Sequence, residues 1–223
     1  EEKYQACQFD MYESMHSRML MPGFIPSVSV YGEEEKVLEM IGPHIEYWEM
    51  DPQDYKGKLL DIRGDLQKQK RKLDKEKGYD FSKFKDTQLT DHYHYTIFPN
   101  MSFSVKPDGM QWLRGSPHPT DPNKCIFDYW YLTLFPKGVD KYFSPALGLE
   151  TDIKTKVPHI TGHHSEVDVG PGISEDVAIW TSQQKGLSSR GYVGDYMPSQ
   201  ENRIRYFHEN IDKYLFGTSG GDA

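Results

Sequence analysis

Cysteine is nearly absent: 223 residues carry two, Cys7 and Cys125. Two thiols exclude a disulfide framework, and they exclude a zinc or iron–sulfur site made of cysteine alone, which takes about four thiolates. Such usage suits a reducing cytoplasm. Long apolar runs are missing too. None approaches the ~18 residues of a membrane span, and Glu1-Glu2-Lys3-Tyr4-Gln5 lacks the basic-then-apolar shape of a signal peptide. Positive charge is in deficit, with 26 Lys+Arg against 34 Asp+Glu and a net charge of −8. A field of that sign argues against non-specific nucleic-acid binding and against anionic membrane surfaces. No Gly-rich phosphate loop occurs, since Gly109 and Gly115 stand isolated, and no Gly-x-Ser-x-Gly nucleophile turn is present. What the chain has in excess is rings. Aromatics reach 13%, with 15 Tyr and 11 Phe, too many for a disordered chain and suited to sheets and a ring-lined cavity. Size favours one domain, with roughly 10,500 Å² exposed when folded and about 70% of the extended chain's surface buried.

Patterning divides the chain into three stretches. Residues 8–31 carry aromatic and β-branched residues around Pro22-Gly23 and Pro26, and read as extended segments. Glu33 to Ile41 predicts a short helix with acids in its first turn, ended by Gly42-Pro43. Asp51-Pro52 reads as an N-cap and first helical position, opening a helical stretch to about Lys77 with Leu59, Leu60, Ile62, Leu66 and Leu73 as its apolar spacing. The end of that stretch is crowded with Lys68, Lys70, Arg71, Lys72, Lys75 and Lys77. A solvated helix face is the plain reading, and a docking patch for an acidic redox partner is the functional one. From His92 to Phe135 the alternation and turn residues predict a meander of antiparallel strands, with Lys106-Pro107-Asp108-Gly109 as a hairpin turn. The last third predicts two helices, one capped by Ser174 and stopped by Gly186, the other opening at Ser199 with Ile204, Phe207, Ile211, Tyr214 and Leu215 at helical spacing. A sheet followed by helices is the α+β pattern. Residues 217–223 read as a disordered tail.

Three constellations can carry chemistry. Asp176, Trp180 and Gln183/Gln184 share one helix face, which sets a carboxylate beside a Trp; an exposed first-turn Asp is the plain alternative. His92 and His94, two apart on a strand, point to one side and with a carboxylate from elsewhere would make a 2-His-1-carboxylate iron site. His159, His163 and His164 have metal-like spacing, but Pro158 and Gly162 argue against a helix there.

The stretch Asp176-Val177-Ala178-Ile179-Trp180-Thr181-Ser182-Gln183-Gln184-Lys185-Gly186-Leu187 resembles the terminal catalytic helix of Rieske-type aromatic-ring-hydroxylating oxygenase α-subunits. His92-Tyr93-His94-Tyr95-Thr96-Ile97-Phe98-Pro99-Asn100 is similar to a strand of that family, and Asp10-x-Tyr12, His16-Ser17-Arg18, Ile25-Pro26-Ser27 and Arg205-Tyr206-Phe207-His208 follow its order. The resemblance covers essentially the whole chain. It departs where the family has its Cys-x-His and Cys-x2-His cluster motif and its Asp-x2-His-x4-His iron motif; neither occurs here, and Lys156 stands where the aspartate before His159 and His164 would be.

The resemblance implies a helix-grip (START-like) α+β fold with a long C-terminal helix and a helical insertion, residues 1–216 forming a catalytic domain cut after its iron-binding histidines. It implies a bacterial, cytoplasmic oxidoreductase of aromatic hydrocarbon catabolism, a mono- or dioxygenase using O2 at mononuclear Fe(II). Electrons would come from NAD(P)H through a reductase or ferredoxin and a [2Fe–2S] Rieske cluster held outside this chain. Asp176 takes the role of carboxylate ligand to iron; His92, His94, Phe98, Asn100, Phe103 and Trp180 are the expected lining of a pocket for a small hydrophobic or aromatic substrate. The intact enzyme would be a homotrimer or α3β3, and this chain alone is expected to be inactive and to hold iron weakly. A non-enzymatic carrier of hydrophobic ligands and a free-standing His92/His94/Asp176 site are the alternatives.

Overall fold

Six strands hydrogen-bond into one antiparallel sheet in chain order: β1 (Gln8–Met11), β2 (Ser17–Met21), β3 (His92–Ile97), β4 (Met101–Lys106), β5 (Gly109–Pro117) and β6 (Cys125–Thr133). The structure is a computed structural model and describes residues 7–25 and 33–217; the expected strand signal at Pro26-Ser27 and the tail beyond Gly217 lie outside them. The α+β class is as the sequence predicts, and β3–β6 form the predicted meander. The turn at Lys106–Gly109 has a steric reason for its glycine: a Cβ on Gly109 would sit 2.3 Å from the carbonyl oxygen of Leu132 on β6.

Register sorts the side chains into two faces, because residues opposite one another across an antiparallel pair share a side. Ser17, Thr96, Ser102, Leu113 and Tyr129 run across one face; Arg18, Tyr95, Phe103, Trp112 and Trp130 run across the other.

The second face meets a helical layer: α1 (Glu34–Tyr47), α2 (Ile62–Leu73) and the short α3 (Asp86–Thr90). This layer holds the apolar core, in which Leu38, Ile45, Trp48, Ile62, Leu66, Leu73, Tyr79, Phe81 and Leu89 are buried. Arg63 locks it to the start of β3 through both carboxylate oxygens of the buried Asp91, at 2.8 and 2.7 Å. The first face meets the C-terminal helices α4 (Pro171–Leu187) and α5 (Asn202–Phe216), and a small hairpin of β7 (Lys141–Ser144) and β8 (Leu149–Asp152) packs Phe143 against the core.

Local details differ from the sequence expectation for identifiable reasons. α1 does not stop at Gly42-Pro43 but continues to Tyr47. Pro43 and Glu39 are both exposed, so the carbonyl that the proline ring cannot bond lies on the solvent side of the helix, while Ile45 and Tyr47 gain burial from the extra turn. The stretch after Asp51 is not one helix. Asp51 does cap, accepting from Gln53 N at 2.8 Å, but two short turns follow, Pro52–Tyr55 and Leu59–Asp61, with Gly57 at φ 71° between them, and α2 starts at Ile62. Exposed surface totals 15252 Å², well above the ~10,500 Å² expected for the mass. The six strands contain no fully buried apolar side chain among the described residues, because the core sits in the helical layer.

Candidate functional site

The helix that carries Asp176 is set by chemistry just upstream of it. Gly170 at φ 85° reverses the chain, and Pro171 follows at the first helical position. Asp168 Oδ1 then accepts from Gly170 N at 2.9 Å and from the Ser174 hydroxyl at 3.2 Å. The N-cap is therefore Gly170 rather than Ser174, with Asp168 bracing the turn that precedes the helix; the helix begins four residues earlier than predicted, and Asp176 lies beyond its first turn. Gly186 does not stop it either: the last residue is Leu187. One turn after Asp176, Trp180 meets Phe127 of β6 edge-to-face, with centroids 4.9 Å apart, and Val177 is buried beside it. Asp176 itself is exposed, with no hydrogen bond or ion pair to any described residue.

His94 stands in the middle of β3 on the same sheet face as Phe127, its Nδ1 2.9 Å from Ser104 Oγ. Burial, reinforced by the positive charge of Arg203, pushes its pKa down to about 4, so the imidazole is neutral at physiological pH. His92 shares that face, two residues earlier. Phe98 follows the end of β3 and packs against Phe207 and Tyr214 of α5, at 5.5 and 5.6 Å, while its N–H donates to His16 Nδ1 at 3.1 Å.

Two expected lining residues are elsewhere. Phe103 points to the opposite face, where it stacks on Tyr95 at 5.4 Å and borders a 240 Å³ hollow with Phe84, Tyr93 and Val105. The two-residue period of β4 puts it there: it pairs with Tyr95, not with His94. Asn100 is exposed at the β3–β4 turn, and its carbonyl accepts from Gly115 N at 3.0 Å, which closes the end of the β4–β5 ladder. His159, His163 and His164 are exposed in irregular chain; His163 bonds only locally, to Ser165 at 2.8 Å. The basic run in α2 is no single patch. Lys70 is 1% exposed, Arg71 reaches Asp86 and the carbonyls of Phe81 and Phe84, and Lys68, Lys75 and Lys77 pair with Asp65, Asp80 and Glu49.

The sequence missed Arg203. Its Nε donates to Ser17 Oγ at 3.1 Å and its Nη2 to Thr96 Oγ1 at 2.7 Å, which ties α5 to β2 and β3. The packed stripe of α5 is Arg203, Phe207 and the fully buried Asn210, whereas Ile204, Tyr214 and Leu215, chosen for their apolarity, are exposed. The recoverable signal was Arg203, Phe207 and Asn210 at i, i+4 and i+7.

Among the described residues, no three of His, Cys, Asp and Glu come together in a group able to hold a metal ion. His92, His94 and Asp176 are thus not assembled as a facial triad, and the free-standing iron site is not supported. A mononuclear iron site needs donors beyond those gathered here. No described helix is long and apolar enough to cross a membrane.

Comparison with known proteins gives one family. Residues 15–217 match the model of the ring hydroxylating alpha subunit (catalytic domain). No curated protein and no solved structure matches.

Proposed function

Because this chain belongs to the ring-hydroxylating alpha-subunit catalytic-domain family, we propose that it is the substrate-binding part of a Rieske non-haem iron oxygenase that hydroxylates an aromatic or similarly hydrophobic compound. The parent would take electrons from NAD(P)H through a reductase or ferredoxin and a [2Fe–2S] cluster, and would assemble as a homotrimer or α3β3 in the bacterial cytoplasm. One observation carries the reading. Trp180 anchors α4 on the ring-bearing sheet face while the exposed Asp176 carboxylate, one turn away, has no partner among the described residues. A carboxylate with no ion pair is available to a cation, and in this reading the cation is Fe(II).

Asp176 would be one ligand, and two imidazoles from outside the described residues would complete the set. Iron, when bound, supplies the binding and activation of O2. The chain's own part is to hold α4 in place through Trp180 and to present rings, Phe127 and Tyr129 among them, to an apolar substrate. His92, His94, Phe98 and Trp180 remain the proposed lining. The two C-terminal helices on this face correspond to the grip of a helix-grip fold. The carrier alternative has less support: the ring-lined hollow of 240 Å³ falls below the roughly 300–1,000 Å³ of ligand pockets, and the 390 Å³ hollow beside α1 is lined by Glu35, Glu39, Glu46 and Lys56, which do not suit an apolar ligand.

The deciding experiment uses the intact protein as its host cell makes it, with reductase and NADH, on a panel of aromatic compounds. Hydroxylated product that takes label from ¹⁸O2 is expected. NADH and O2 consumption with no labelled product from any compound would end the oxygenase reading.

A further inference from the structure

We propose that Arg203, with the hydroxyls of Ser17 and Thr96 beside it, recognises an anion, and that the anion is the carboxylate of an aromatic acid substrate. The inference rests on the oxygenase reading only in taking this sheet face as the substrate face.

Charge pairing singles out Arg203. Arg18, Arg63, Arg71 and Arg114 are all half-buried, and each has a carboxylate: Asp10, Asp91, Asp86 and Asp128. Arg203 is half-buried too, yet among the described residues its only bonds go to two neutral hydroxyls and no carboxylate pairs with it. A guanidinium carries five N–H donors in a planar fork, so these bonds leave donors over. Burial disfavours the charge and lowers the pKa. In a chain of net charge −8, an uncompensated and partly desolvated cation is a choice that packing alone does not explain.

The surroundings fit a carboxylate joined to a ring. His94, two residues before Thr96 on the same face, is neutral at physiological pH and so neither competes for the anion as an ion pair nor repels the guanidinium. Phe207 lies one helical turn after Arg203 and packs on Phe98, which puts rings directly beside the charge. Phe127 of β6, with Trp180 of α4 packed on it, lies across the same face, three strand spacings from β3, or about 14 Å. The Ser17 and Thr96 hydroxyls hold the fork in one orientation, as bidentate carboxylate recognition requires.

The test compares benzoate with its neutral analogue benzamide, titrated into the 223-residue chain at low ionic strength by calorimetry. Benzoate is expected to bind at least tenfold more tightly. Arg203→Gln should bring the two affinities together, and Arg203→Lys should keep part of the gap. Should Arg203→Gln fail to fold, phenylglyoxal labelling of the unaltered protein, read by peptide mapping, keeps the question open to refutation. Benzoate, and not benzamide, should slow modification of Arg203 while leaving the exposed Arg205 unchanged. Equal affinities, a preference that survives in Arg203→Gln, or labelling of Arg203 indifferent to benzoate would each overturn the proposal. None of these readouts needs iron or turnover. A benzoate preference without O2-dependent hydroxylation in the intact protein would sink the oxygenase reading and leave this site standing; hydroxylation with no such preference would do the reverse.

Discussion

Lys70 shows what one buried charge does to the whole stability curve. It sits in the helical core, its Nζ donating to the carbonyl of Leu89 at 2.9 Å and lying 5.3 Å from the centroid of the Trp48 ring. No carboxylate among the described residues bonds to it, and burial brings its pKa from 10.5 down to about 8. The sign follows from proton counts. Between pH 8 and 10.5 the unfolded lysine still holds a proton that the folded one has released, so unfolding takes up a proton and stability rises with pH. The rise is at most roughly 3 kcal/mol over that window. Urea unfolding at pH 7.5, 9 and 10.5 should show it, and Lys70→Met should flatten it; an equal slope in the variant would mean that other groups carry the effect. His44 bends the curve the same way at the acid end. Its pKa is held well below 6.5 by burial, so the stability it contributes is complete above pH 6.5 and is lost as pH falls below that value. Lys70 was legible in the sequence, since it falls four residues after Leu66 and eight after Ile62, on the apolar stripe of α2. The surrounding lysines disguised it as part of a solvated run.

At the scale of elements, legibility followed how local the determining interactions are. The β3–β6 meander was readable because alternation and the Pro107-Asp108-Gly109 turn are short-range signals. α1 was misread at its end because the burial of Ile45 and Tyr47, a tertiary effect, outweighs the proline. α4 was misread at its start because its N-cap is Gly170, a glycine at positive φ, and the turn before it is braced by Asp168 rather than by a capping side chain. Those bonds to Gly170 and Ser174 make a prediction. Asp168→Ala should loosen the first turns of the helix carrying Asp176, at a cost of about 1 kcal/mol. Amide hydrogen exchange across residues 172–176 should quicken while exchange in β4 and β5 stays unchanged. Exchange across 172–176 identical to that of the unaltered protein would show that Asp168 does not hold the helix start. Of the candidate site, the common strand face of His92 and His94 was legible; of the α4 face only Trp180 packs on the sheet, since Asp176, Gln183 and Gln184 are exposed. Arg203 was not legible, because hydroxyl partners 186 and 107 residues away leave no trace in local spacing.

Over the whole molecule, the apolar core lies on one side of the sheet and the candidate chemistry on the other. The C-terminal helices bury little apart from Val177 and Asn210, and Ile179, Leu187, Tyr214, Leu215 and Phe216 stay exposed. An arrangement of this kind leaves the functional face open to substrate and, in the proposed enzyme, to the chain that brings the imidazole ligands. Asp176 is the hinge of that account: it is the one iron ligand assigned to these residues, and it contributes little to packing. The most direct test is iron quantification in the intact protein carrying Asp176→Ala, with circular dichroism as the check on folding. The account predicts an unchanged spectrum with mononuclear iron reduced at least tenfold, the Rieske iron being counted separately by its visible absorption. A full complement of mononuclear iron in the folded variant would contradict it.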